Sequence, residues 1–322
     1  GLGRGAHYRT AATGVCVHQT LMQTRPLMPN FGLEVLGVDL SSPMDDDSFA
    51  EIRDLYFSHS ALLFRGQDLS PASQARLAHR FGRPKIETRK QFNLEAHPEV
   101  STIGNVKYAD GQDAAFFVKG GFGWHTDGTS ACHVDAATFL YAVEVPKAGG
   151  DTLLCSTATA YENIPQILKD RLSDLKMLCS FHAHNDPLFE GDPDSHIPLT
   201  EEERLALPAV WHDIVQVHPV TGRTVLYMNF DPIEFDSVSL ELGEGWLQQA
   251  LAIATQEQYV YTHHWVPGDL LIWDNHAALH SGTPTACYES DRRLMHRSFV
   301  YTQPTERTLE NLDEVNAIFL KS

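Results

Sequence analysis

From residue 136 onward the chain is a succession of short strand-like runs: "AATFLYAVEV", "DIVQVHP", "TVLYMNF", "QYVYTHHWV", "DLLIWDN" and "RSFVYT". Gly/Pro turns such as "HPVTGR" and "VPGD" separate them, and only two helical stretches, near 157–178 and 244–255, intervene. This pattern restricts the chain to an antiparallel sandwich or barrel with helices packed outside it. The first third supplies such helices. Residues 45–59 begin with acids suited to a helix N-terminus, and Phe49, Ile52, Leu55 and Tyr56 then recur at helical spacing. "SPASQARLAHRFG" reads as a helix with Pro near its start and Gly82 after its end. "FGLEVLGVDLSS" and "ALLFRGQ" read as strands.

No internal repeat and no break in composition divides residues 25–322, which are expected to form a single domain, mainly β with flanking helices. Two long irregular stretches, 104–123 and 182–212, are candidate lids over a site, with ordinary surface loop as the alternative. Residues 1–24 contain no acidic residue and are set apart from the fold, as a loose or cloning-derived extension or the stub of an organelle-targeting peptide.

A chain of 322 residues, 43% of them hydrophobic, can bury a large core. No run approaches the roughly 18 apolar residues of a membrane span, so a soluble protein with no membrane partner is expected. The net charge of −18 argues against nucleic-acid binding, and any anion pocket must be built from locally concentrated Arg or Lys. Five scattered cysteines, Cys16, Cys132, Cys155, Cys179 and Cys287, form no C-x-x-C. They read as reduced thiols in a reducing compartment, the cytoplasm unless the N-terminal stub addresses an organelle. The oligomeric state stays open between monomer and homo-oligomer.

Within "WHTDGTS", His125 and Asp127 are two positions apart and would share one face of a strand. That spacing alone decides nothing. The chain has four His-x-acid triplets (His125/Asp127, His133/Asp135, His184/Asp186, His97/Glu99), where its composition gives about two by chance. Near the other end, "PGDLLIWDNHAALHSGTP" runs a strand into Trp273-Asp274-Asn275, with His280 seven residues after the tryptophan. "DRRLMHRSFVY" then places Arg293 and Arg297 four apart on one face of an apolar strand, where an arginine is costly without an anionic partner.

These pieces, with "ALLFRGQDLS", "RFGRP" and "GGDTLL", resemble in order and spacing the iron(II)- and 2-oxoglutarate-dependent dioxygenases of the taurine dioxygenase and 2,4-dichlorophenoxyacetate dioxygenase type, over most of residues 25–303. The resemblance implies a double-stranded β-helix (jelly roll) core and a cofactor set of Fe(II), 2-oxoglutarate and O2. It makes His125, Asp127 and His280 the iron ligands, a facial triad of two imidazoles and one carboxylate. His133/Asp135 is then the chief decoy among the other triplets. Arg293 and the Thr152 hydroxyl would hold the distal carboxylate of 2-oxoglutarate, and Arg297 the anionic group of the primary substrate. The family usually has Arg after "WDN", and this chain has His276 there, either a supporting group or a polar loop residue.

Relatives acting on taurine place His and Tyr soon after the "FG" that ends the second helix, where this chain has Glu87 and Lys90, so taurine itself is not expected. Arg89, Lys90 and Lys119 are candidates to add positive charge for a small anionic organic acid, or are solvated surface, and Glu87 could face a substrate ammonium. Asp127 favours oxygen transfer over halogenation, since halogenating relatives have a small residue there. Hydroxylation, desaturation and ring closure stay open. Two other classes compete: a zinc-dependent hydrolase built on the same three ligands, and a non-catalytic jelly-roll binding protein.

Overall fold

The computed structural model describes residues 22–116, 123–191, 197–285 and 289–321. Its centre is the strand Leu270–Asp274, buried at all five positions. Alternate side chains leave it in opposite directions, Leu270 and Ile272 into one core cluster and Leu271 and Trp273 into another. The neighbouring strand Ala136–Glu144 repeats this, with Phe139 and Tyr141 on one side and Leu140 and Ala142 on the other. A strand of continuous apolar character is thus a two-faced strand covered on both sides.

These strands belong to a nine-stranded sheet. Its order is Gln23–Met28, Phe31–Leu36, Ala61–Phe64, Leu270–Asp274, Ala136–Glu144, Leu294–Tyr301, His97–Gly104 and Asn93–Leu94, with Arg83–Pro84 also paired to Leu294–Tyr301. Every pairing in it is antiparallel except Phe31–Leu36 with Ala61–Phe64. Helices Asp46–His59 and Pro71–Phe81 cover one face through Ile52, Tyr56, Leu77 and Phe81. Against the other face lies a second sheet of Val260–His263, Thr152–Ser156 and Ala278–Gly282. Leu154 and Ala278 of this sheet pack with Leu140, Met295 and Trp273 of the first. Helices Thr157–Asn163, Gln166–Leu172 and Leu240–Ala254 close its outer side. Two facing antiparallel sheets with flanking helices are the jelly-roll arrangement.

Several elements differ from expectation. The first strand starts at Gln23, inside the stretch set apart as an extension, while residues 1–21, with Cys16, lie outside the described residues. Much of 182–212 is regular: helix Phe181–Gly191, helix Glu201–Leu205 with a Thr200/Glu203 capping box, and strand Val210–Asp213. Pro187 sits inside the first of these and masks its helical pattern. The other candidate lid is irregular over 105–116, and Lys119 falls outside the described residues. Helix Glu306–Leu320, capped by Thr305, was not anticipated, having only Leu312 and Phe319 buried. Cys132, Cys155 and Cys179 are free, Cys287 lies outside the described residues, and burial pushes the Cys155 and Cys179 thiols up to about 12. Among the described residues no helix is long and apolar enough to cross a membrane.

Gly82 follows the second helix as expected, for a different reason. Its backbone is extended (φ 163°), which any residue tolerates, but an added Cβ would lie 1.9 Å from the Tyr301 carbonyl oxygen. Because that obstacle is backbone of the central sheet, Gly82→Ala should cost about 1–3 kcal/mol of stability. Denaturant unfolding reads this directly, and an unchanged midpoint at equal slope would show that the two backbones separate freely.

Candidate active site

His125 and His280 face each other through backbone pairing: each N–H donates to the other's carbonyl, at 2.9 and 2.8 Å. This isolated bridge, and no continuous strand at 124–130, brings "WHTD" onto the strand Ala278–Gly282. Asp127 then turns toward both rings, with Oδ1 3.6 Å from His125 Nε2 and Oδ2 3.6 Å from His280 Nε2. One ligand atom of each residue lies within 4.8 Å of the other two.

The donor chemistry fits a divalent metal. His125 Nδ1 lies 2.7 Å from the Gly123 carbonyl and donates its proton there, so Nε2, on the Asp127 side, is the nitrogen a metal would take in place of a proton. Burial, then neighbouring His125, pushes the His280 ring down to about 3, so it is the neutral imidazole that a metal requires. Burial opposes the charged form of Asp127, but Arg297, with help from His125, outweighs it and holds the carboxyl well below the usual range. Burial likewise disfavours a charged His125, and the Asp127 carboxylate reverses this, raising the ring.

Asn275 fastens the ligand segment. Its side-chain oxygen accepts from the Asp127 N–H at 3.2 Å and from the Trp273 indole at 3.2 Å. Its amide nitrogen donates to Thr138 Oγ1 at 2.8 Å, and that hydroxyl donates to Asp127 Oδ2 at 2.8 Å. The "WDN" motif marked Asn275 in the sequence, but nothing there marked Thr138, which reaches Asp127 from the neighbouring strand.

A second group, Asp135, His218 and His276, also clusters within 4.8 Å but is unsuited to a metal. His218 Nδ1 accepts the Val220 and Thr221 N–H groups at 3.2 and 3.2 Å, while Nε2 donates to Asp274 at 2.9 Å. His276 is held between Asp135 at 2.7 Å and Gln216 at 2.8 Å. No ring nitrogen in the group keeps a free lone pair. His276 is thus a buried supporting group beside Asn275, and Asp135 belongs to it instead of pairing with His133. The other triplets come apart too: Asp186 pairs with Arg204, His184 with Asp231, and Glu99 with His79.

These three residues, His125, Asp127 and His280, open into a cavity of about 560 Å³. Thr152 and Arg293 are both in its wall. The Thr152 hydroxyl accepts from the Trp265 indole at 3.0 Å, which leaves its own proton to donate. Gly150 (φ +70°) leaves room for Arg293, since a Cβ there would sit 3.3 Å from Nε. The Arg293 guanidinium has no carboxylate partner among the described residues, and burial brings it down to about 10.

Of the four cations expected at the substrate, the three within the described residues fare differently. Arg297 lines the cavity, with one nitrogen on Glu87 and another 2.9 Å from Asp127 Oδ2. Burial works against its charge, and these two carboxylates overcome that and raise it. Arg89 also lines the cavity. Lys90 does not: it turns away to Glu203, 2.7 Å distant, a correction to its expected place. Lys85, which the sequence reading passed over, is in the wall instead.

Residues 23–299 match the model of the taurine catabolism dioxygenase TauD, TfdA family. The chain is 33% identical to the alpha-ketoglutarate-dependent 2,4-dichlorophenoxyacetate dioxygenase of Cupriavidus pinatubonensis, over 80% of this chain and 90% of that one. It is 30% identical to an alkylsulfatase of Acinetobacter baylyi, covering 80% and 79% of the two chains. Among solved structures, a taurine dioxygenase from Burkholderia xenovorans superposes with a TM-score of 0.69 at 25% identity, covering 89% and 94% of the two chains. Relatives named as alpha-ketoglutarate-dependent dioxygenases decide against the hydrolase and the non-catalytic binding protein, and imply Fe(II), 2-oxoglutarate and O2 as the reactants at the site. The chain therefore belongs to the TauD/TfdA family of iron(II)- and 2-oxoglutarate-dependent dioxygenases.

Proposed function

We propose that the enzyme oxidises an aliphatic C–H bond of a small organic acid. Fe(II), held by His125, Asp127 and His280, supplies the redox chemistry by which 2-oxoglutarate and O2 become succinate and CO2 while the second oxygen atom enters the substrate. The observation that carries this reading is the Arg293 guanidinium, buried without a carboxylate partner among the described residues in the same cavity as the three ligands. Such a group calls for an anion, and its planar fork matches a carboxylate through two charge-assisted bonds. Thr152 adds a hydroxyl donor to the same carboxylate.

The acidic substrate class rests on the cations of the cavity wall, Arg89, Lys85 and Arg297, of which the last two are paired with Glu87. It also rests on relatives named for a phenoxyacetate, a phenoxypropionate and sulfate esters. Phe92, Phe116, Phe181 and Phe230 face the same space and suit an apolar body. Asp127 keeps a protein carboxylate on the metal and so favours transfer of oxygen.

Anaerobic addition of Fe(II) and 2-oxoglutarate should produce a weak visible charge-transfer band. Succinate release should then rise with particular members of a panel of carboxylates, sulfonates and sulfate esters. Arg293→Lys keeps the charge but loses the fork, so the KM for 2-oxoglutarate should rise about tenfold, about 1.4 kcal/mol. Thr152→Ala should act in the same direction more weakly. If neither variant alters 2-oxoglutarate dependence, the assignment of this subsite is wrong. Stimulation by neutral compounds alone would remove the acid class.

A further inference from the structure

Two guanidiniums in the cavity wall, Arg293 and Arg89, lack a carboxylate partner among the described residues, while a third, Arg297, has two. Glu87 and Asp127 each take one nitrogen of the Arg297 fork, and the other oxygen of Glu87 lies 3.6 Å from Lys85. For a substrate acid to pair with Arg297 it would have to displace Glu87, leaving a buried carboxylate with one distant lysine. Such a half-broken buried pair is unfavourable.

Arg89 is placed otherwise. One nitrogen donates to the side-chain oxygen of Asn185, a neutral acceptor on helix Phe181–Gly191. That amide is oriented by its own donation to the Phe181 carbonyl at 2.9 Å. The guanidinium lies over the Phe116 ring, 3.9 Å from its centroid. It therefore joins Phe116 and Asn185, one from each of the stretches expected as lids, 104–123 and 182–212, and no second acceptor occupies it among the described residues. Burial, the largest influence on it, lowers this arginine to about 10, as it does Arg293. A charged fork bonded to an amide and stacked on a ring, with the Glu87 carboxylate near enough to favour its charge and Arg297 to oppose it, keeps donors for an anion without any ion pair having to break.

We propose that Glu87 closes Arg297 to substrate and that the substrate's acidic group is taken by Arg89, between Phe116 and Asn185. This deepens the acid-substrate reading above and rests on it. It makes Glu87 and Arg89 the residues that determine specificity. An acid with a bulky apolar body, anchored at the lid end, is admitted, and a short acid that could be held only by Arg297 is refused. Arg297 instead serves Asp127, whose Oδ2 it holds.

The test uses full-length protein loaded with Mn(II) and N-oxalylglycine, an unreactive analogue of 2-oxoglutarate. Phenoxyacetate, octanoate, octyl sulfate and the short acid propane-1-sulfonate are titrated calorimetrically. Wild type should bind at least one of the bulky acids. Arg89→Ala should weaken that binding tenfold or more, with N-oxalylglycine affinity and melting temperature measured as controls. Glu87→Gln, by opening Arg297, should tighten propane-1-sulfonate at least fivefold. Equal affinity for the bulky acid in wild type and Arg89→Ala overturns the proposal and leaves the acid class standing. No gain for the short acid in Glu87→Gln overturns the role of Glu87. A wild-type protein that binds none of the acids overturns this proposal and the acid class together.

Discussion

Alanine at His125 or His280 is expected to abolish 2-oxoglutarate-dependent turnover and the visible band of the loaded protein, while leaving the fold near its original stability. On the proposed assignment each ring would provide one of three ligand atoms, and losing one would open the facial arrangement on which the chemistry depends. Neither ring is needed for packing in the way that Leu154 or Leu271 is, since both rings border the cavity. Asp127→Ala should lose turnover equally but behave differently in the melt. Asp127 accepts from Arg297 and Thr138, so its removal strips a buried guanidinium of one of its two counter-charges. A stability loss in Asp127→Ala that is absent in His125→Ala separates the ligand role from the electrostatic one. Near-native activity in either histidine variant would sink the metal assignment.

Arg297→Ala should lower stability by about 3–5 kcal/mol, the usual cost of removing one partner from a buried ion pair, because Glu87 and Asp127 are then left facing each other. Arg297 side-chain exposure is 15%, and that of its two partners 18% and 16%, so solvent screens the cluster little. Arg297→Lys should recover only part of the loss, since one ammonium cannot bridge two carboxylates as the fork does. The cluster also has a pH signature. Burial alone would raise Glu87, but Lys85 and Arg297 reverse this and hold it below its ordinary 4.5. A carboxyl lowered on folding contributes stability that is complete above its unfolded value and lost as the pH falls below it. Acid unfolding of the metal-free protein should therefore be less steep in Glu87→Gln than in wild type, and chemical denaturation from pH 6 to pH 3 measures both effects. A variant at 297 that melts with wild type would show the pair to be energetically idle.

The pattern of strands could be read in the chain because covered strands carry apolar residues at consecutive positions and their turns carry Gly and Pro. Leu270–Asp274 and Ala136–Glu144 are instances. Helix Phe181–Gly191 could not, because Pro187 and a run of polar residues hide its period. The terminal helix Glu306–Leu320 was equally hidden, with only two buried apolar residues to reveal it. At Gly82 the sequence marked the right residue for the wrong reason, since the approach of Tyr301 comes from a strand more than two hundred positions away.

The site divides along the same line. By itself the sequence singled out, through the family resemblance, His125, Asp127 and His280 as candidate ligands and Arg293 and Thr152 as candidate cosubstrate residues, because motif spacing and flanking residues are local and survive without coordinates. Only the tertiary structure decided how the charges are shared. Arg297, Arg89 and Lys90 are alike in sequence as cations near a site. Folding gives the first two carboxylates, the second an amide and a ring, and the third a glutamate outside the cavity. Each of those partners comes from a different element, brought near by packing. A charge's role depends on the partner it meets when buried, and that partner is set by the fold.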